Sequence, residues 1–140
     1  MDMNYEKIME FLNTNDKFTM NNNITITKIS EGKSEAAAKI NDANCNFMGY
    51  PHGGILYSML DVLAGTSVLS FGYVCVTVNI NANFINKTKD KILYGYGETV
   101  KKGHNIFVCR CTIEDENKNV ICTGLATMHP LKFKIEDYIK

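Results

Sequence analysis

The chain has 140 residues, 45% of them hydrophobic and 21% charged, which is enough for one compact domain with its own core and too little for two. Fifteen lysines and arginines balance fifteen aspartates and glutamates, and no basic arm or arginine-rich run is present, so the charge gives no reason to expect nucleic acid as a partner. The five cysteines (Cys45, Cys75, Cys109, Cys111 and Cys122) are odd in number, and three fall in strand-like runs where a thiol packs as a small hydrophobe.

Reduced thiols are the simplest reading of that pattern. The first residues, Met-Asp-Met-Asn-Tyr-Glu-Lys, carry acids where a secretion signal has a basic region, and no apolar run approaches the ~20 residues of a membrane span. The expectation is a cytoplasmic protein with no membrane partner.

Taken in chain order, Tyr5, Ile8, Met9, Phe11 and Leu12 recur at helical spacing and predict a short lead helix over about residues 4–13, broken by the polar run 13–16. A β-branched run through Ile24, Ile26 and Ile29, a turn at 31–33 and a returning segment at 35–40 predict a hairpin. After a loop over 41–52, residues 53–69 have the length and apolar density of one long helix, with Leu56, Met59, Leu60, Leu63 and Thr66 or Val68 toward the core.

Everything beyond reads as β. Val74, Val76, Val78 and Ile80 alternate with Cys75, Thr77, Asn79 and Asn81, the pattern of a sheet strand with one greasy face. Further strands are predicted at 92–100, 106–114 and 120–129, with turns around Gly103-His104 and Asn117-Lys118. The result is an α+β class: an antiparallel sheet of about five to six strands curled around one long central helix, as a single domain over 1–140.

The chemistry concentrates around the start of that helix. Gly53 and Gly54 leave the first helical N–H groups sterically open, and these have no intrahelical acceptor and sit at the positive end of the helix dipole. A carbonyl oxygen gaining negative charge could bind there, where pre-placed donors contribute on the order of 3 kcal/mol each to acyl transfer. Asp61 is an ionisable group inside an apolar segment, and a buried carboxylate needs a partner, a water or a task.

Eight residues separate Gly53 from Asp61, about 12 Å along a helix axis, too far for both to grip one carbon in the same subunit. Either they act on separate things, or the site is shared between two copies of the chain. The helical neighbours of Asp61 are Tyr57, Ser58, Ala64 and Gly65, the last three small enough to admit a ligand or a second helix. The plainer readings are that Gly53-Gly54 is turn and cap chemistry, that His52 holds the loop, and that Asp61 faces solvent.

Read together as Asn46-x5-His52-Gly53-Gly54-x6-Asp61, with the strand Val76-Thr77-Val78-Asn79-Ile80-Asn81-Ala82-Asn83-Phe84 downstream, these residues resemble the hotdog-fold acyl-CoA thioesterases of the phenylacetate-pathway and thioesterase-superfamily-member-2 type. The resemblance covers about residues 20–130. It implies a hotdog fold and hydrolysis of an acyl-CoA or acyl carrier protein thioester by a homo-oligomer, a dimer or a dimer of dimers, with no metal or redox cofactor and with coenzyme A only as part of the substrate.

It further implies that Asp61 is the general base or nucleophile, that Gly53 polarises the thioester carbonyl through its N–H, that Asn46 holds that carbonyl or the water, that His52 braces the loop and that Thr77 orients water. In that family the acid and hydroxyl come from one subunit, and the asparagine and glycine from the other. Gly54, Tyr57, Lys101, Lys102 and His104 are the remaining residues expected to bind substrate; Lys87, Lys89, Lys91, Lys101 and Lys102 lie at strand ends and could form a basic rim for coenzyme A, or else be solvated edge lysines that discourage sheet pairing.

The chain departs from the family pattern at Pro51, at Asn86-Lys87-Thr88 where a proline usually stands, and at Gly103-His104 in place of Gly-Arg or Gly-Lys. Cys109-x-Cys111 has no second pair at zinc spacing. The rival readings are a hydratase or dehydratase on the same scaffold, which would want a catalytic histidine, and a non-catalytic acyl-CoA sensor, which would lose the acid.

Overall fold

The structure is a computed structural model that describes residues 3–139. Six antiparallel strands form one sheet in the order β1-β2-β4-β5-β6-β3. They are β1 (Ile24–Ser30), β2 (Lys33–Lys39), β3 (Tyr73–Phe84), β4 (Ile92–Lys102), β5 (Phe107–Glu114) and β6 (Val120–Lys134). One helix of 17 residues, α3 (Gly53–Leu69), lies across them. The sheet wraps this helix because α3 is apolar nearly all round: Leu56, Met59, Leu60, Leu63, Thr66 and Val68, the expected core face, are all buried, and so are Ile55, Ala64, Ser67 and Leu69.

The sheet comes very close to the helix. A Cβ on Gly95 would fall 2.6 Å from Leu63 Cδ1, and one on Gly97 would fall 2.8 Å from the Leu63 carbonyl oxygen, so glycine at these β4 positions lets strand and helix touch. Cys109 and Cys111 share that interior face and direct their thiols at the carbonyls of Ala64 and Leu60. Burial pushes both thiols up from their ordinary range, and all five cysteines are free thiols, without a disulfide among the described residues.

Three expectations need correction. The lead segment is two helices, α1 (Tyr5–Asn15) and α2 (Lys17–Asn21), separated at Asp16, whose non-helical backbone (φ -82°, ψ 89°) ends the first helix and begins the second. Strand β6 does not stop at His129. Its pairing with β5 ends at Met128, so beyond that point it pairs only with β3, and Pro130 is tolerated without an N–H.

The third correction concerns β3. Register shifts in its pairing with β6 between Tyr73 and Cys75 and between Thr77 and Asn79 break the simple alternation. Val76 and Val78 are exposed while Ile80 is buried, so the valines do not form one greasy face. Strand β3 is also the edge of the sheet, twelve residues long, with no neighbour on its outer side. The opposite edge, β1, is seven residues long, bulged, and packed against α1 and α2.

Candidate functional site

The bulged edge strand and α3 together place the acid. Asp61 is half-exposed on α3, and the Thr77 hydroxyl donates to its Oδ1 across 2.5 Å. The pair opens into a cleft of about 740 Å³ between α3, β3 and the lead helices, lined near Asp61 by Tyr57, Ser58, Thr77, Asn79 and Ile80. Tyr57 is fixed at its edge by a hydrogen bond from its hydroxyl to the Ile80 carbonyl at 2.9 Å. Cys75 also faces the cleft. Burial, with smaller contributions from Cys109 and Asp61, pushes its thiol up to about 12.

The helix start lies elsewhere. His52 is the N-cap of α3 and its Nδ1 accepts the Gly54 N–H at 2.8 Å, so Gly54 is occupied by the cap. The Gly53 N–H has no acceptor among the described residues, and the glycine is exposed at the positive end of the helix. A Cβ at Gly53 would lie 3.9 Å from the Phe84 ring, which places the helix start over the far end of β3 from Thr77.

The loop before it is tightly tied. Asn46 Oδ1 accepts the N–H groups of Met48 (3.0 Å) and Tyr50 (3.1 Å), and its side-chain NH₂ has no acceptor among the described residues. The buried Pro51 forms an isolated bridge with Cys45, so the departure at that position closes the loop rather than opening it.

The basic residues form two groups. Lys87 and Lys89 approach the Tyr50 ring, at 5.8 and 4.8 Å, beside the Asn46 loop. Lys102 and His104 line a second cleft of about 800 Å³ at the β4–β5 turn, together with His129, Lys132, Tyr73 and Phe133. Lys101 is exposed next to it. Motif reading singles out neither His129 nor Lys132: His129 is the last residue of the predicted strand, and Lys132 lies in the part of β6 that runs past Pro130.

Within one chain, then, the expected residues fall in three places: Asp61, Thr77 and Tyr57 in the first cleft, Asn46, His52, Gly53 and Gly54 at the start of α3, and Lys101, Lys102 and His104 at the β4–β5 turn. Sequence reasoning missed the contribution of the lead helices, since Leu12, Asp16, Phe18 and Thr19 form one wall of the Asp61 cleft.

A family model described as the thioesterase superfamily matches residues 48–122, more than half of the chain, from within the loop before α3 to the start of β6. The chain belongs to the thioesterase superfamily. The fold is the hotdog fold, shared with the Escherichia coli PaaI protein of the phenylacetic acid degradation operon, which is 17% identical at a TM-score of 0.85 over 93% of this chain and 97% of that one.

A hypothetical thioesterase protein of Streptococcus pneumoniae, solved with coenzyme A, is 28% identical at a TM-score of 0.74, covering 77% of this chain and 88% of that one. Two further structures of that protein replace a threonine or an aspartate by alanine, at positions separated by the sixteen residues that also separate Asp61 from Thr77. The smu.793 protein of Streptococcus mutans, solved with acetyl-CoA, is 23% identical at a TM-score of 0.74 over 78% of this chain and 89% of that one. Among the described residues no helix is long and apolar enough to cross a membrane.

Proposed function

We propose that the protein hydrolyses an acyl-CoA thioester, or the corresponding acyl carrier protein thioester, at sites shared by two copies of the chain. The observation that carries this reading is the Asp61–Thr77 pair opening into a cleft, while the free Gly53 N–H stands at the other end of the same edge strand. Antiparallel pairing of two β3 edges centred near Ile80 and Asn81 would set Thr77 of one copy across from Phe84 of the other. Asp61 would then face the second copy's Gly53 and Asn46, and the unpaired edge with its exposed valines would be covered.

In such a site the Thr77 hydroxyl fixes Asp61 Oδ1, leaving Oδ2 to take a proton from water as the water oxygen attacks the thioester carbon. The carbonyl oxygen becomes an oxyanion, held by the Gly53 N–H and the Asn46 side-chain NH₂ of the second copy. Collapse breaks the C–S bond, and the proton on Asp61 passes to the departing thiolate, giving the free acid and coenzyme A. Asn46, His52 and Gly54 keep the helix start rigid for this purpose.

This chemistry draws on no metal or redox cofactor. Lys101, Lys102 and His104, joined by His129 and Lys132, supply the positive surface that the nucleotide phosphates of coenzyme A would need. Free thiols and substrates of this kind support a cytoplasmic location.

The test is free-thiol release from a panel of short, long and aromatic acyl-CoAs, run beside Asp61→Asn. The reading predicts turnover of at least one substrate and a loss of about 100-fold or more in kcat for the variant. Tight acyl-CoA binding without thiol release by the wild type would replace the hydrolase by a sensor.

A further inference from the structure

The Asp61 cleft continues along α3 as a lane. Asp61, Gly65 and Leu69 recur at four-residue spacing, so they stack along one side of the helix over about 12 Å. Gly65 has no side chain to obstruct it, and a Cβ there would meet only the Met128 Cε at 3.7 Å. Beyond Gly65 the walls are apolar: Leu12 and Phe18 from the lead helices, Ile26 from β1, Val62 and Leu69 from α3, and Val74 from β3.

The polar groups at that end satisfy each other, since the Thr19 hydroxyl donates to Asp16 Oδ2 at 2.9 Å. The only charged side chains lining the cleft among the described residues are Asp16 and Asp61, and no lysine, arginine or histidine lines it. A tail carrying a carboxylate would be desolvated here without a counter-ion and would meet an acid at the far end.

Resting on the hydrolase reading above, we infer that the lane receives the acyl chain, and that the substrates are uncharged, medium-length aliphatic thioesters rather than acetyl or ω-carboxylated ones. Extended C–C bonds of about 1.5 Å advance roughly 1.25 Å each, so the lane takes about eight to ten carbons. Leu12, Phe18 and Gly65 are the specificity-determining residues. Each methylene buried there is worth about a fourfold gain in kcat/KM, from ~0.8 kcal/mol per CH₂.

The experiment compares release of coenzyme A from acetyl-, octanoyl- and 7-carboxyheptanoyl-CoA by the wild type, Gly65→Leu and Phe18→Asp. Octanoyl-CoA is expected to exceed each of the other two by at least about 50-fold in kcat/KM. Gly65→Leu fills the lane and lowers the octanoyl-to-acetyl ratio at least about tenfold. Phe18→Asp, at a side chain 62% exposed and so without cost to folding, lowers that ratio at least about threefold.

A flat profile across the three substrates, or ratios unchanged in both variants, overturns this assignment and leaves the hydrolase standing. Absence of thiol release from every acyl-CoA overturns both.

Discussion

Asp61 and Thr77 stand sixteen residues apart in the chain, and they share a hydrogen bond because α3 lies across β3. That bond ties one carboxylate oxygen and leaves the other without a donor among the described residues, so removing it loosens the acid without removing the acid. Thr77→Val is expected to lower kcat about tenfold with KM little changed, read from steady-state thiol release. The Asn46-to-Asp61 motif was legible because its residue types and spacing are local. The hydroxyl could be placed on the strand but not against the acid, because which way Thr77 points depends on a bulge that leaves no mark in residue type. The partner of His52 was likewise not legible in the sequence: its Nδ1 accepts the Gly54 N–H as the cap of α3.

At the scale of elements, the helix and the sheet are held together by close approach as much as by apolar area. A Cβ at Gly97 would sit 2.6 Å from Ser34 Oγ and 2.8 Å from the Leu63 carbonyl oxygen, and that carbonyl accepts the Ser34 hydroxyl. Gly97→Ala is therefore expected to cost about 2 kcal/mol, measured by urea unfolding. Between the same layers lies the Cys75 thiol, pushed up to about 12 from 9.0 by burial and, less, by Cys109 and Asp61. Its folded value is the higher one, so its contribution is complete below about pH 9 and lost as the pH climbs toward 12. The unfolding midpoint should fall over that interval, and Cys75→Ala should fall less steeply. Strand and helix positions were readable from β-branched runs and apolar periodicity, and the segregated order correctly gave one helix against an antiparallel sheet. Helix α2 was not readable, since five residues are too few to display a period, and the end of β6 was hidden because Pro130 reads as a stop until the loss of its β5 neighbour is known.

Over the whole molecule, Asp61 bonds to Thr77 in the first half of β3 while Gly53 lies over Phe84 at its end, on an edge strand of twelve residues that leaves Val76 and Val78 in solvent. A long edge of this kind, uncovered among the described residues, invites strand pairing, and the proposed pairing about its middle would bring the acid to the open amide. The spacing of Gly53 and Asp61 along one helix left two readings, separate roles or a site shared between chains; the strand order makes β3 the edge at which the proposed sharing would occur. Sharing of the site between chains is tested most directly by co-expressing Asp61→Asn with Asn46→Ala. Each variant alone is nearly inactive, but half of the randomly assembled dimers carry one copy of each, and in those one of the two sites is intact. The account predicts recovery of about a quarter of wild-type thioesterase activity in the mixture. Activity that stays at the level of the separate variants would contradict it.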